Sequence, residues 1–393
     1  MKNPIIHVIT KYFYPVAAGI ETNILETYSK LASKWDITIH ASADEYLHKN
    51  SLASSERIRN MSIARYPNQG ELFGYMGNID YTKADIVALH NFNVFFWRYF
   101  VLVLYHKLIG IKQYRLIVTP HGGFTPEWTM FKWPIRVFKY IYHRIVGTLC
   151  LNYLADEVRC VSLWEKEEMI KMGVKQEHIT TITNGLEDEA FMDVDKLVSS
   201  KTKKFIKELG PYIIQVGRIY PIKNYETVIR ALPSIPKVKY LILGQIEKSA
   251  QFANYQADLI DLAKQLGVED RLVFGGVVRG VDKYYIIKHA ELMVHMAIWE
   301  SFCNVVHEGM SQGRVCIVAN NTALPLLIKD GVNGYVVDTK DSIKLAERIN
   351  YVLSNKGSRS IKQIEKINRE LGQNDSWANV AGKMEKLYLK NQV

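Results

Sequence analysis

Residues 212–227 read YIIQVGRIYPIKNYET, and the stretch changes character twice. Tyr212 to Gly217 is a short, mostly apolar run rich in aromatic and β-branched residues, the composition of a strand inside a parallel sheet. Arg218 to Lys223 is a loop broken by Pro221, and a helical pattern opens at Asn224. Strand, loop and helix in this order form the first half of a βαβ unit. Arg218 and Lys223 stand in a loop that leads to a helix N-terminus, where amides and dipole already favour an anion. Such a loop suits a diphosphate. The alternative is two solvated bases on a surface loop.

C-terminal to this stretch the pattern repeats. Apolar runs at 238–244, 271–276, 291–296, 315–320 and 334–337 alternate with helical periodicity near 224–232, 255–267, 281–289, 304–312 and 341–354. This reads as a doubly wound α/β domain. After the fourth strand comes WESFCNVVHE, 299–308, with Glu300 at the strand-to-helix junction and Glu308 eight residues on. Eight residues of helix is slightly over two turns, so both carboxylates are expected to face one groove. The amides of Phe302, Cys303 and Asn304 are expected at a helix start, placed to hold a phosphate, and Glu308 to accept ribose hydroxyls. Glu300 could otherwise be a helix-start acid answering the dipole.

N-terminal to residue 212 the same alternation is present. Strands are expected at 5–10, 36–42, 84–90, 115–121, 157–162 and 178–185, with helices at 20–33, 95–109, 134–150 and 163–172. Pro15-Val-Ala-Ala-Gly19 joins the first strand to the first helix, and Gly19 would let a ligand approach the chain closely. TPHGGF, 119–124, follows a strand directly. It puts His121 at the sheet edge where ligands bind in open α/β folds. A polar segment, 185–211, ends in Gly-Pro and places a boundary near 190–208. The expected domains are 1–195 and 205–370, both Rossmann-like, with a helical tail at 371–393. Two domains agree with 393 residues at about 150 residues per domain.

Fifty Lys+Arg against 40 Asp+Glu give +10, which favours anionic partners without naming one. The excess is local: 86–155 holds eight Lys/Arg, one acid (Glu127) and 16 of the 44 aromatics. Interleaved rings and cations suit the headgroup level of an anionic membrane. Amphipathic helices with inward-facing rings would give the same composition. No nucleic-acid module accompanies the patch, so nucleic acid is not an expected partner. Four cysteines without a CxxC pair read as buried thiols in a reducing, cytoplasmic setting, and the N-terminus shows no secretory leader pattern. No metal-ligand spacing is present; His289, His295 and His307 are close in sequence, but His295 falls inside a strand.

Taken together, Gly217-Arg218…Lys223-Asn224, Glu300…Glu308-Gly309 and Asp330-Gly331-Val332-Asn333-Gly334 resemble, in order and spacing, the GT-B retaining glycosyltransferases of glycosyltransferase family 4. Asn184-Gly185 resembles the family's Asn-Gly at the end of the first domain. The resemblance spans about residues 1–355. It departs from the family pattern at Ala18-Gly19, Met296-Ala297, Cys303 and Leu326. It implies two Rossmann-like domains facing a central cleft, with a C-terminal helix crossing back to the first. It also implies a metal-independent enzyme that moves a sugar from a UDP-, GDP- or ADP-sugar to a glycan or lipid-linked acceptor, with no further cofactor. Arg218 and Lys223 would neutralise the diphosphate, Glu308 would hold the ribose, and Glu300 would contact the transferred sugar near the reacting centre. His121 would bind that sugar from the first domain, and Gly19 would admit the phosphates. Cell-surface polysaccharide or glycolipid synthesis at the inner face of the membrane follows as the expected setting. A nucleotide-sugar epimerase of related fold and a non-catalytic binding subunit are the competing readings.

Overall fold

The computed structural model describes residues 3–16, 18–45, 51–70, 74–75, 79–246, 252–372 and 375–390. The chain divides into two units, Met1–Gly185 with Trp377–Val393, and Leu186–Ser376. The first holds β1 (Ile5–Ile9), β2 (Asp36–Ser42), β3 (Ser55–Ile58), β4 (Met61–Tyr66), β5 (Ile86–His90), β6 (Arg115–Thr119), β7 (Glu157–Cys160) and β8 (Ile179–Thr181). They lie in the order β3-β4-β2-β1-β5-β6-β7-β8, parallel except for β3 against β4. Alternate strand residues serve opposite layers, as the pleat dictates. Ile6, Val8, Ile37 and Ile39 pack with Ile24 and Tyr28 of helix Gly19–Leu31. Val87, Leu89, Leu116 and Val118 pack with Phe92, Phe100 and Leu151 on the other face.

The β3–β4 hairpin was not expected. Its turn is Arg59-Asn60, both at positive φ (47° and 67°). An Arg where such turns favour Gly or Asn hides the hairpin signal, and the edge strand SERI is polar. The helix expected at 134–150 is three segments: helix Trp133–Ile141, a π turn Tyr142–Gly147 and helix Thr148–Tyr153.

The second unit holds β9 (Tyr212–Val216), β10 (Lys239–Leu243), β11 (Leu272–Gly276), β12 (Met293–His295), β13 (Cys316–Ala319) and β14 (Gly334–Val337). Their order is β11-β10-β9-β12-β13-β14, all parallel. Counted within the unit, this is the 3-2-1-4-5-6 order of a dinucleotide-binding sheet, with its topological switch between β9 and β12.

The unit boundaries differ from the expected 195 and 205. Leu186, Ala190 and Val194 cluster with Tyr284 of helix Gly280–His289. Asp195 accepts hydrogen bonds from Lys288 (2.5 Å) and His289 (2.8 Å). The polar segment is thus the edge of the second unit rather than a linker. The tail also divides later than 371: helix Arg359–Gly372 stays with the second unit, where Asn368 Nδ2 donates to Arg314 O at 2.7 Å. Helix Trp377–Leu389 packs on the first unit, its Trp377, Val380, Met384 and Tyr388 meeting Ile24, Tyr28 and Trp35.

Candidate active site

The loops after β9 and β12 flank the switch point of the second unit, and several bonds stitch them together. Ile298 N–H donates to Ile222 O at 2.7 Å, and Asn224 Nδ2 donates to Met296 O at 2.8 Å and Thr339 O at 2.7 Å. Lys223 is thereby held over the other loop. Its Nζ donates to Glu300 Oε1 at 2.5 Å, and His295 Nε2–H donates to the same oxygen at 2.8 Å. A carboxylate only accepts, so the His295 proton sits on Nε2. Its Nδ1 is buried with no hydrogen-bond partner. Burial alone would raise the Glu300 carboxyl, but the Lys223 charge and the His295 hydrogen bond outweigh it and bring the pKa to about 2. Burial holds the His295 imidazole below its ordinary value, hence neutral, although Glu300 pulls the other way.

Three residues around this cluster have left-handed backbone: Asn224 (φ 52°), Cys303 (φ 75°) and Thr322 (φ 44°). Such conformations cost about 1–3 kcal/mol each for non-glycine residues and gather at functional sites. Each has a local role here. Asn224 turns the chain into helix Tyr225–Ala231, and Cys303 caps helix Asn304–Ser311. Thr322 Oγ1 accepts the Glu300 N–H at 3.0 Å.

Glu300 and Glu308 do not share one helix face, contrary to the expectation from their spacing. Helix Asn304–Ser311 begins four residues after Glu300, so Glu300 sits in the loop. Glu308 has its own cation. Lys283 Nζ, from helix Gly280–His289, donates to Glu308 Oε1 at 3.1 Å and to Glu187 Oε2 at 2.7 Å. Burial lifts the Glu308 carboxyl above its ordinary value, although Lys283 draws it down. Its Oε2 is buried and unpartnered. A buried acceptor without a donor costs roughly 1–3 kcal/mol, which a ligand hydroxyl would recover. Gly309 fits because a Cβ there would lie 2.6 Å from Met293 Sδ, so the helix can rest on β12.

Phe302 and Cys303 are buried, and the start of helix Asn304–Ser311 has no side-chain cap. Arg218 has its guanidinium 4.9 Å from the Tyr220 ring centroid. One oxygen or nitrogen of His295 and Glu300 and the Cys303 sulfur lie within 4.8 Å of one another. A metal there would have to displace the ammonium already on Glu300.

In the first unit His121 follows β6 at φ 52°. Its Nε2 shares a hydrogen bond with His90 Nδ1 (2.9 Å). His90 Nε2 meets the Tyr28 hydroxyl (2.8 Å), and that hydroxyl meets Tyr388 (2.6 Å). The chain of contacts ties His121 to the C-terminal helix. Burial, with His90 and Arg159 nearby, holds the His121 imidazole well below its ordinary value and therefore neutral. The glycines after it serve the fold. A Cβ on Gly123 would lie 2.2 Å from Asn91 Oδ1 and 2.8 Å from Phe92 O, so close approach is to the neighbouring loop. The Gly122 N–H donates to the buried Glu165 carboxylate. Gly19 opens helix Gly19–Leu31, and a Cβ there would meet nothing within 4 Å. Asn184, expected at the end of the first domain, accepts Asn23 Nδ2 at 2.7 Å.

Sequence reasoning weighed His295 only as a metal ligand and missed Lys283 and Glu187. The available signal was a lysine on the apolar side of a helix: Lys283 is buried together with Tyr284, Ile286 and Ile287.

Residues 199–371 match the family "Glycosyl transferases group 1", and residues 17–190 match "Glycosyltransferase Family 4". The chain is 28% identical to an uncharacterized glycosyltransferase of Methanocaldococcus jannaschii over 60% of each chain. The match thus spans under two thirds of that relative's length. It is 21% identical to the gpi3 subunit of phosphatidylinositol N-acetylglucosaminyltransferase from Schizosaccharomyces pombe, over 97% of this chain and 79% of that one. In structure it is similar to HepE of Anabaena, solved with UDP and glucose, with a TM-score of 0.77, 18% identity and coverage of 99% and 100%. That likeness shows the fold. With a family match on each unit and a GT-B fold from end to end, the chain belongs to glycosyltransferase family 4.

Proposed function

We propose that the chain transfers a sugar from a nucleoside diphosphate sugar to a glycan or lipid-linked acceptor, with retention at the anomeric carbon and without a bound metal, in the cytoplasm. The observation that carries this reading is Lys223 held on Glu300 at the β9/β12 switch point, with Glu308, on the helix that follows, keeping an unused buried oxygen. Switch points of parallel sheets are where nucleotides bind. Arg218, Lys223 and the amides of Phe302, Cys303 and Asn304 face the diphosphate, and Glu308 Oε2 accepts a ribose hydroxyl. As the glycosidic bond breaks, negative charge grows on the leaving diphosphate, so fixed cations bind the transition state more strongly than the ground state. Glu300, pinned by Lys223 and His295, is a weakly basic carboxylate and a poor nucleophile. It orients sugar hydroxyls, while the departing diphosphate oxygen takes the acceptor proton on the same face.

A screen of UDP-, GDP- and ADP-sugars, read by released nucleoside diphosphate, tests this. One donor should turn over, and Glu300→Gln should lower kcat about a hundredfold or more while donor binding is kept. No release with any donor, or equal turnover in the variant, would sink the proposal.

A further inference from the structure

The second half of the first unit turns an apolar side outward. Helix Trp133–Ile141, WPIRVFKYI, has no buried residue. Trp133 is 73% exposed, Phe138 60% and Ile141 51%. The bases fold back instead. Arg136 Nε and Nη2 donate to Phe131 O at 3.3 and 3.2 Å, and the Lys139 ammonium lies 4.4 Å from the Phe131 ring centroid. The π turn and helix Thr148–Tyr153 continue the surface with Ile145 and Leu149, both exposed. Of the 31 large hydrophobic residues exposed among those described, 17 fall between 101 and 153. Scattered apolar residues are ordinary on a surface, but a concentration of this kind marks a binding face.

Charge selects the occupant. Between 86 and 155 there are eight Lys/Arg and one acid, Glu127. That acid is engaged locally, accepting the Thr129 N–H at 3.0 Å. Lys112 is paired with Asp156, but the segment that forms this face, 131–153, carries Lys132, Arg136, Lys139 and Arg144 and no Asp or Glu, so two copies joined through it would set these cations against each other. An anionic lipid surface supplies both the missing charge and an apolar layer beneath it. Among the described residues no helix is long and apolar enough to cross a membrane, so the element would lie in the interface plane.

We propose that helix Trp133–Ile141 and the π turn after it dock in the headgroup layer of an anionic bilayer. Trp133, Phe138 and Ile141 reach the acyl boundary, with Lys132 and Lys139 beside lipid phosphates. The inference deepens the acceptor side of the proposed function, naming the bilayer as the surface on which the first unit meets a lipid-linked acceptor. Its test does not depend on catalysis.

Vesicle flotation with the full chain compares phosphatidylcholine alone with phosphatidylcholine containing phosphatidylglycerol. The parent should float with the anionic vesicles, and added salt should weaken the binding. The triple variant Trp133→Ser, Phe138→Ser, Ile141→Ser should lose about tenfold or more in bound fraction, with an unchanged melting temperature because all three are exposed. Lys132→Ser with Lys139→Ser should weaken binding to anionic vesicles and reduce its salt sensitivity. No flotation, or equal flotation by the triple variant, overturns the proposal. So does a dimer in solution that the triple variant dissociates. Nucleoside diphosphate release with lipid-free substrates separates this outcome from failure of the proposed activity, since the triple variant should retain it.

Discussion

Lys223→Met removes the ammonium from Glu300 and keeps most of the stem. Nζ lies 2.5 Å from Oε1, and the two side chains are 16% and 13% exposed. Burial raises the Glu300 carboxyl, yet Lys223 and His295 bring it from 4.5 to about 2. That depression corresponds to about 3 kcal/mol of folding stability, the lower end of what breaking a buried pair costs. A depressed carboxylate stabilises above its unfolded pKa and loses that contribution as pH falls through the folded value. In the parent the contribution is therefore complete from neutral pH down to about 4.5 and gone near about 2. Without Lys223 the buried carboxylate takes a proton at a raised pKa. The deficit of the variant should then be largest near pH 8 and shrink as the solution is acidified. For a unit of this size about 3 kcal/mol corresponds to roughly 6–12 °C in melting temperature. Thermal melts of Lys223→Met, Glu300→Gln and the double variant across pH read this out. The double variant should lose less than the sum of the singles, because no buried charge is left stranded. A parental melting temperature for Lys223→Met at pH 8, or strict additivity in the double variant, would refute the reasoning.

Glu308→Gln should raise donor KM about tenfold with a smaller change in kcat, because the acceptor offered to the ribose loses its charge; a loss confined to kcat would contradict this. His295→Leu removes one hydrogen bond to Glu300, so the Glu300 pKa should rise and the acid limb of the pH–rate profile should move to higher pH. An unmoved limb would mean that His295 does not position the carboxylate. Tyr28→Phe removes the hydroxyl that meets both His90 and Tyr388, and should cost about 1–3 kcal/mol by equilibrium denaturation.

The parallel strands were legible because each is a short apolar run between turn residues, and the loop after β9 was legible because Arg218 and Lys223 stand out against it. Local spacing could not show where Glu308 points. Helix Asn304–Ser311 starts only after a left-handed Cys303, and the missing turn removes the shared face that an eight-residue interval implies. Nor could it show Lys283, which reaches Glu308 from 25 positions away, or Glu187, which shares that lysine from 121 positions away. The glycine pair at 122–123 lets the backbone come close to something, and the sequence could not say that at Gly123 the neighbour is the Asn91–Phe92 segment. The rings of 86–155 were ambiguous for a similar reason: composition does not say which way a helix faces. The structure divides them: Phe92, Phe95, Phe96, Phe100, Tyr114 and Phe124 face the core, whereas helix Trp133–Ile141 turns Trp133 and Phe138 outward.

Calorimetric titration of nucleoside diphosphate sugars into the full chain, in the presence of EDTA, bears most directly on the central claim. One donor should bind the parent, and bind Arg218→Ala and Glu308→Gln about tenfold more weakly. Binding by none of the donors, or equal binding by parent and both variants, would contradict the account.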